Sequence, residues 1–313
     1  MERWTGNRLC DLLGTEWPVI QGGMVYNSGA TLAAAAAEAG CLGLLGSGSM
    51  RPDFLRAEIR RARELTDRPV GVNIPLIHKY ARENLETSLE EGVRLFVTSA
   101  GSPRKVAGPL RKAGAVFIHV VASADLARKC EDAGCDAVVC EGFEAGGHNG
   151  REELTTLVLV PQCVEAVSIP VVAAGGIATG AQMAAVLALG ADGVQIGSRF
   201  AVTVESASHE AYKRAVVEGD DTLLVLKKHI PVRLLRNAFR EQISALEAVG
   251  ASREELAAML GEGRARLGML EGDLEEGELE IGQVAALIDD VPPVRDVVAR
   301  LLAEYDDAVK RLR

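Results

Sequence analysis

The first two hundred residues repeat one unit, a short apolar, β-branched run followed by a helical stretch, at intervals of about 20 to 34 residues. Eight such runs stand out: "PVIQGG" (18–23), "LGLLGSG" (42–48), "PVGVNIPL" (69–76), "RLFVTSAG" (94–101), "VFIHVVAS" (116–123), "AVVCEG" (137–142), "PVVAAGG" (170–176) and "DGVQIGSRF" (192–200). Strands separated by helices of ten to fifteen residues are the signature of a parallel sheet with crossover connections. The stretch from Pro52 to Leu65 shows the helical half of the unit, with Phe54, Leu55, Ile59 and Ala62 on one face and arginines on the other. Several helices run into an Ala-Gly or Leu-Gly step before the next strand: "AEAGCLGLL", "RKAGAVFIHV", "EDAGCDAVV" and "LALGADGVQI". Glycine takes the left-handed conformation that ends a helix, so each step is a stop signal with a mechanism. Eight strand-helix units closing on themselves give an α/β fold, the (β/α)8 TIM barrel. A doubly wound open sheet is the alternative, but its first strand feeds a Gly-x-Gly-x-x-Gly turn, and "QGGMVYNSGA" is not one.

The rhythm breaks after Phe200. Residues 1–204 are read as the barrel, 205–278 as a charged helical cap without strand-like runs, and 279–313 as a segment returning to the barrel in a helix from about Val294 to Arg313. A chain of 313 residues suits one barrel with an insertion. The net charge of −10 argues against a general nucleic-acid binder, whose affinity comes from clustered Lys and Arg. Six cysteines, at 10, 41, 130, 135, 140 and 163, have no metal-ligand spacing and read as reduced core thiols, with no metal site expected. No secretory pattern is visible in "MERWTGNRLC", so the expected location is cytoplasmic. The uncharged run from Val167 to Ala191 is broken by Pro170, Gly175, Gly176 and Gly180, and reads as strand, turn and helix, not as a membrane span.

In such barrels the active site lies at the C-terminal ends of the strands. Gly22 and Gly23 end the first run, Gly146 and Gly147 follow the sixth, Gly175 and Gly176 end the seventh, and Gly197 with Ser198 lies in the eighth. Loops after strands seven and eight commonly bind phosphate through backbone N–H groups, so "AAGGIATG" and "QIGSR" point to a phosphate-bearing ligand. Asn73 and Gln195 interrupt otherwise apolar strands, where an unpaired amide costs about 1–3 kcal/mol. Glu141 is placed to accept from a ligand hydroxyl or ring N–H, or to pair with an arginine. His148, after two glycines at a strand's catalytic end, is the candidate acid-base residue, because imidazole titrates near neutrality. His78, His119, His209 and His229 lack that glycine frame and read as structural. A basic stretch in the cap, Lys227, Lys228, His229, Arg233, Arg236 and Arg240, reads either as a solvated face or as a surface steering anionic ligands or an acidic carrier protein.

Taken together, "IQGGM", "GVNIPL", "EGFEAGGHNG", "IPVVAAGGIATG", "LGADGVQIGSRF" and "ESASHEAYK" strongly resemble the FMN-dependent nitronate monooxygenase family, formerly called 2-nitropropane dioxygenases. That family includes the FMN-dependent enoyl-acyl-carrier-protein reductases of the second type. The resemblance runs from about Arg8 to the C-terminal helix and implies a flavin-bearing barrel. It carries cofactor contacts onto Gly22, Gly23, Met24, Asn73, Glu141, Gly146, Gly175, Gly176, Gln195, Ile196, Gly197 and Ser198, and the active-site role onto His148. Oxidation of alkyl nitronates with O2 is the leading activity it implies. The alternatives are an enoyl reductase or quinone reductase drawing on NAD(P)H, and, from another class, a non-catalytic flavin-binding sensor. Small molecules, free or on a carrier protein, are the expected partners, with neither nucleic acid nor membrane; the charged cap is also available for a homodimer interface. Glu280 departs from the reductase branch, which carries a small or apolar residue there.

Overall fold

The computed structural model describes residues 4–312. All eight runs are strands: β1 (Val19–Gln21), β2 (Gly43–Gly46), β3 (Val70–Pro75), β4 (Leu95–Ser99), β5 (Val116–Val121), β6 (Ala137–Glu141), then, after a short strand β7 (Gly147–His148), β8 (Val171–Ala174) and β9 (Gly193–Ile196). The parallel sheet runs β1-β9-β8-β6-β5-β4-β3-β2. Its two edges meet at a parallel bridge between Ile20 and Leu42, where Gln21 N donates to Leu42 O at 2.8 Å and Leu42 N to Val19 O at 2.9 Å. The sheet therefore closes into the expected TIM barrel.

The stop signals act as their chemistry requires: Gly40, Gly114, Gly134 and Gly190 all have φ between +62° and +100°. Inside the barrel, Ile20, Leu44, Val97, Ile118, Val139 and Val172 share one buried cluster with Leu9 and Leu13 of the short helix Arg8–Leu13. Each such side chain contributes about 1.5–3 kcal/mol of burial. Outside, the helix Pro52–Leu65 buries Leu55, Ile59 and Ala62, whereas Phe54 is 55% exposed, so the expected face is one residue narrower. The run from Val167 to Ala191 folds as strand, glycine turn and the helix Gly180–Ala188. Among the described residues no helix is long and apolar enough to cross a membrane, and all six cysteines are buried and unbridged.

The expectation of a strand-free cap is corrected. β10 (Thr222–Val225) and β11 (Val232–Leu235) form an antiparallel pair, and β11 also pairs with β7, setting Val232 opposite His148 and Arg233 opposite Gly147. The charge in "PVRLL" hides a buried strand. Arg233 is 2% exposed; its guanidinium donates to Phe143 O at 2.8 Å and lies 4.6 Å from the Phe143 ring centre. Val225, Val232, Leu234, Phe239, Ile243 and Leu256 form a further core with the helices Ala238–Ala248 and Arg253–Leu260.

The basic stretch is not a free face either. Lys227 pairs with Glu153 at 2.6 Å, Arg236 with Glu241 at 3.1 Å and Arg240 with Asp221 at 2.9 Å, while Lys228 donates to the carbonyls of Gly250 and Ala251. The final helix, Val294–Arg311, lies against Gly180–Ala188, where a β-carbon on Gly180 would overlap its backbone.

Candidate active site

The C-terminal ends of all eight barrel strands open into one cavity of about 1200 Å³. The predicted residues Gly22, Gly23, Met24, Asn73, Glu141, Gly146, His148, Gly175, Gly176, Gln195, Gly197 and Ser198 line it. Ile196 does not: its side chain is buried in the core with Val19, Val194 and Phe200, and it meets the first strand through its carbonyl, which accepts from Gly22 N at 2.9 Å.

At one end of the cavity the backbone itself is exposed to the ligand space. Gly175 and Gly176 have φ of +84° and +68°, two successive left-handed residues that turn the chain after β8 and leave no side chain in the way. Gly197 and Ser198 follow β9 at the start of a helical turn, whose first N–H groups have no intrahelical partner. Between these ends the Oε1 atom of Gln195 is buried without a hydrogen-bond partner. An orphaned buried acceptor is costly unless a ligand supplies a donor.

His148 is clamped by its strand pairing. It sits on β7 opposite Val232, and the next residue extends the clamp through Asn149 N to Pro231 O at 3.0 Å. Its ring is open to the cavity, while the protein around it pushes the imidazole below its ordinary pKa; Glu278 pulls weakly the other way. The ring is therefore a neutral acceptor-donor at neutral pH.

The glutamates Glu141, Glu144 and Glu280 line the same cavity. Glu141 forms no ion pair among the described residues, so the arginine-partner reading fails, and burial pushes it up to about 7. Glu280 is also pushed up to about 7 by burial; Glu278 behaves alike, with burial first and the Glu280 charge second. The Glu280 carboxyl covers Gly147, whose added β-carbon would lie 2.5 Å from Oε2. Glu144 instead caps the helix Thr156–Ala166, accepting from Thr156 N at 3.0 and 2.9 Å and from its hydroxyl at 3.1 Å.

The segment after Glu280 is stitched across the site. Gly282 N donates to Ser198 Oγ and Gln283 N to Glu144 O, each at 2.9 Å, and Ile281 and Val284 face the cavity.

The reading of His119 as merely structural missed its position. His119 is 3% exposed, lines the cavity, and lies 2.6 Å through Nδ1 from Thr98 Oγ1; burial pushes it down to about 4, so it stays neutral. The signal was available, since His119 interrupts a strand as Asn73 and Gln195 do. Lys79, Arg104 and Lys129 were also missed. They stand exposed on the loop after β3 and the helices after β4 and β5, and line the same cavity as the exposed apolar side chains of Ile77 and Leu126. His209 is structural as expected, accepting from Ala211 N at 3.1 Å.

The nitronate monooxygenase family model matches residues 6–304. The structure of FabK from Thermotoga maritima is 44% identical in sequence, covers 98% of each chain and superposes with a TM-score of 0.93. A nitroalkane oxidase from Streptomyces ansochromogenes is 33% identical, covers 98% of this chain and 100% of its own, and superposes at 0.83. The (3aS,4S,5R,7aS)-5-hydroxy-7a-methyl-1-oxo-octahydro-1H-indene-4-carboxyl-CoA dehydrogenase of Mycobacterium tuberculosis is 33% identical over 97% of this chain and 96% of its own.

Proposed function

We propose, from the premise that this chain belongs to the nitronate monooxygenase family and is an oxidoreductase, that it reduces an enoyl thioester with electrons from NAD(P)H carried by FMN. The observation that carries this reading is the cavity. At about 1200 Å³ it exceeds the roughly 300–1,000 Å³ of a single-ligand pocket, leaving room for a substrate above a cofactor. Its mouth combines Ile77 and Leu126 with Lys79, Arg104 and Lys129, which suits an acyl chain on a phosphate-bearing arm.

The residues at the cavity's inner end fit FMN. The N–H groups of Gly175, Gly176, Gly197 and Ser198 would hold its phosphate, Glu141 would accept from a ribityl hydroxyl, and Asn73 and Gln195 would face the polar edges of the ring. The orphaned Gln195 Oε1 is the specific support, because a ring N–H satisfies it. When bound, FMN supplies two-electron transfer between donor and acceptor. His148, neutral and fixed by β11, would donate its ring N–H to the thioester carbonyl and hold it above the cofactor. His119, held by Thr98, lines the cavity without changing charge.

A second reading, oxidation of alkyl nitronates with O2, draws on the depressed pKa of His148, which leaves the ring able to take the α-proton of a nitroalkane. Glu278 and Glu280, pushed up to about 7 by burial, are partly protonated near neutrality, and only their ionised fraction works against an anionic nitronate. The deciding assay compares NADH oxidation dependent on crotonyl coenzyme A with oxygen uptake on propionate 3-nitronate. Thioester-dependent NADH oxidation supports the first reading; oxygen uptake alone would replace it with the second.

A further inference from the structure

Glu280 is the one carboxyl near His148 that both faces the cavity and belongs to the returning segment, not the barrel. Its backbone is fixed on two sides. It bridges to Leu234 of β11, and its carbonyl accepts from the Tyr212 hydroxyl at 2.6 Å. From this fixed backbone the side chain lies against Gly147, where an added β-carbon would sit 2.5 Å from Oε2. Among the described residues no cation pairs with it. A half-buried carboxyl left facing a ligand space without a partner is costly for an alkyl chain to cover, and favourable for a ligand that brings a donor.

We propose that Glu280 determines specificity: its carboxyl receives a hydrogen-bond donor, a hydroxyl or a protonated amine, borne on the substrate's acyl group close to the reacting carbons, and disfavours a plain alkyl chain there. The inference rests on the thioester reading and narrows it to acyl groups with a polar substituent. Glu280 acts on the substrate directly, while Glu278, buried behind it, acts only through charge. A site built to bond a hydroxyl discriminates more strongly against its absence than an apolar pocket does against its presence.

The test uses the FMN-loaded enzyme with crotonyl and 4-hydroxycrotonyl coenzyme A. The wild type is expected to favour the hydroxylated substrate at least tenfold in kcat/KM. Glu280→Leu is expected to invert that preference, and Glu280→Gln, which keeps an acceptor oxygen, to retain it in part. An inverted preference is something a purely structural role cannot produce. Parallel loss on both substrates in Glu280→Leu, or a wild type indifferent to the hydroxyl, overturns the inference. Calorimetric binding of butyryl and 4-hydroxybutyryl coenzyme A separates it from the function on which it rests. Glu280-dependent preference in binding without turnover sinks the reductase reading and keeps the inference, and binding of neither compound sinks both.

Discussion

Gly146→Ala isolates the contact on which the site's geometry depends. An added β-carbon would lie 2.5 Å from Gly282 N and 2.7 Å from Ile281 Cα. Both are backbone atoms, so no flexible side chain can yield and the returning segment itself must move. Overpacking of this kind costs about 1–3 kcal/mol. The displacement also stretches two hydrogen bonds, Gly282 N to Ser198 Oγ and Gln283 N to Glu144 O, each worth about 0.5–1.5 kcal/mol. The sum is about 2–6 kcal/mol, a fall in Tm on the order of 10 °C for a chain of this size. Because Glu280, Ile281 and Val284 ride on the same segment, KM should rise with it. Gly108→Ala is the control: it sits in the helix Arg104–Lys112 with nothing beyond its chain neighbours within 4 Å of an added β-carbon. The helical gain of about 0.5–1 kcal/mol is offset by Pro109, which disfavours the helical conformation in a preceding residue that carries a β-carbon, so the net change should be small beside that of Gly146→Ala. Thermal melts of the two variants beside the wild type, with steady-state kinetics, make the comparison. A Gly146→Ala protein with wild-type Tm and KM would refute the packing of Ile281 and Gly282 on Gly146.

Further predictions concern the charges. His148→Ala should keep FMN, read from its visible absorbance, while turnover falls about 10²–10³-fold; full activity on every substrate would remove His148 from the chemistry. Glu141 has a folded pKa of about 7 against an ordinary 4.5. The folded state then binds its proton more tightly, and stability falls as pH rises between those values. In FMN-free protein, Glu141→Gln should gain on the wild type from pH 5 to pH 8, by up to about 3 kcal/mol; a pH-independent difference would show that Glu141 is not desolvated. Neutralising Lys79, Arg104 and Lys129 together should raise KM for crotonyl coenzyme A at low salt and flatten its salt dependence. The KM for the phosphate-free N-acetylcysteamine thioester should stay unchanged, and equal effects on both would argue against phosphate recognition at the mouth.

The barrel was legible because its signals are local. Each strand is a short apolar run, and Gly40, Gly114, Gly134 and Gly190 stop helices by a conformation only glycine adopts cheaply. The strand-end positions were legible too, since the fold dictates where a cavity forms, and all but Ile196 of the residues named from sequence line it. What stayed hidden depends on contacts distant in sequence. β11 read as charged cap because Arg233 finds its partner, Phe143, ninety residues earlier. The pairing of β11 with β7 likewise makes "GGHN", two glycines after the sixth run by sequence, part of a clamped strand. His119 was passed over because a histidine inside a strand is ordinarily a core residue, and only closure of the barrel brings its ring to the ligand space. Glu280 was noticed as a departure, but its seat on Gly147 follows from the return of the C-terminal segment, which no local pattern encodes.

The central claim is that reduced flavin in this protein passes electrons to an enoyl thioester. The direct measurement is anaerobic: FMN-loaded protein is bleached with one equivalent of NADH, mixed rapidly with crotonyl or 4-hydroxycrotonyl coenzyme A, and followed at the flavin's long-wavelength band. The account predicts bleaching by NADH and recovery of colour on adding thioester, with formation of the saturated product. Bleaching by propionate 3-nitronate but not by NADH, or reduced flavin that recovers only when oxygen is admitted, would contradict it.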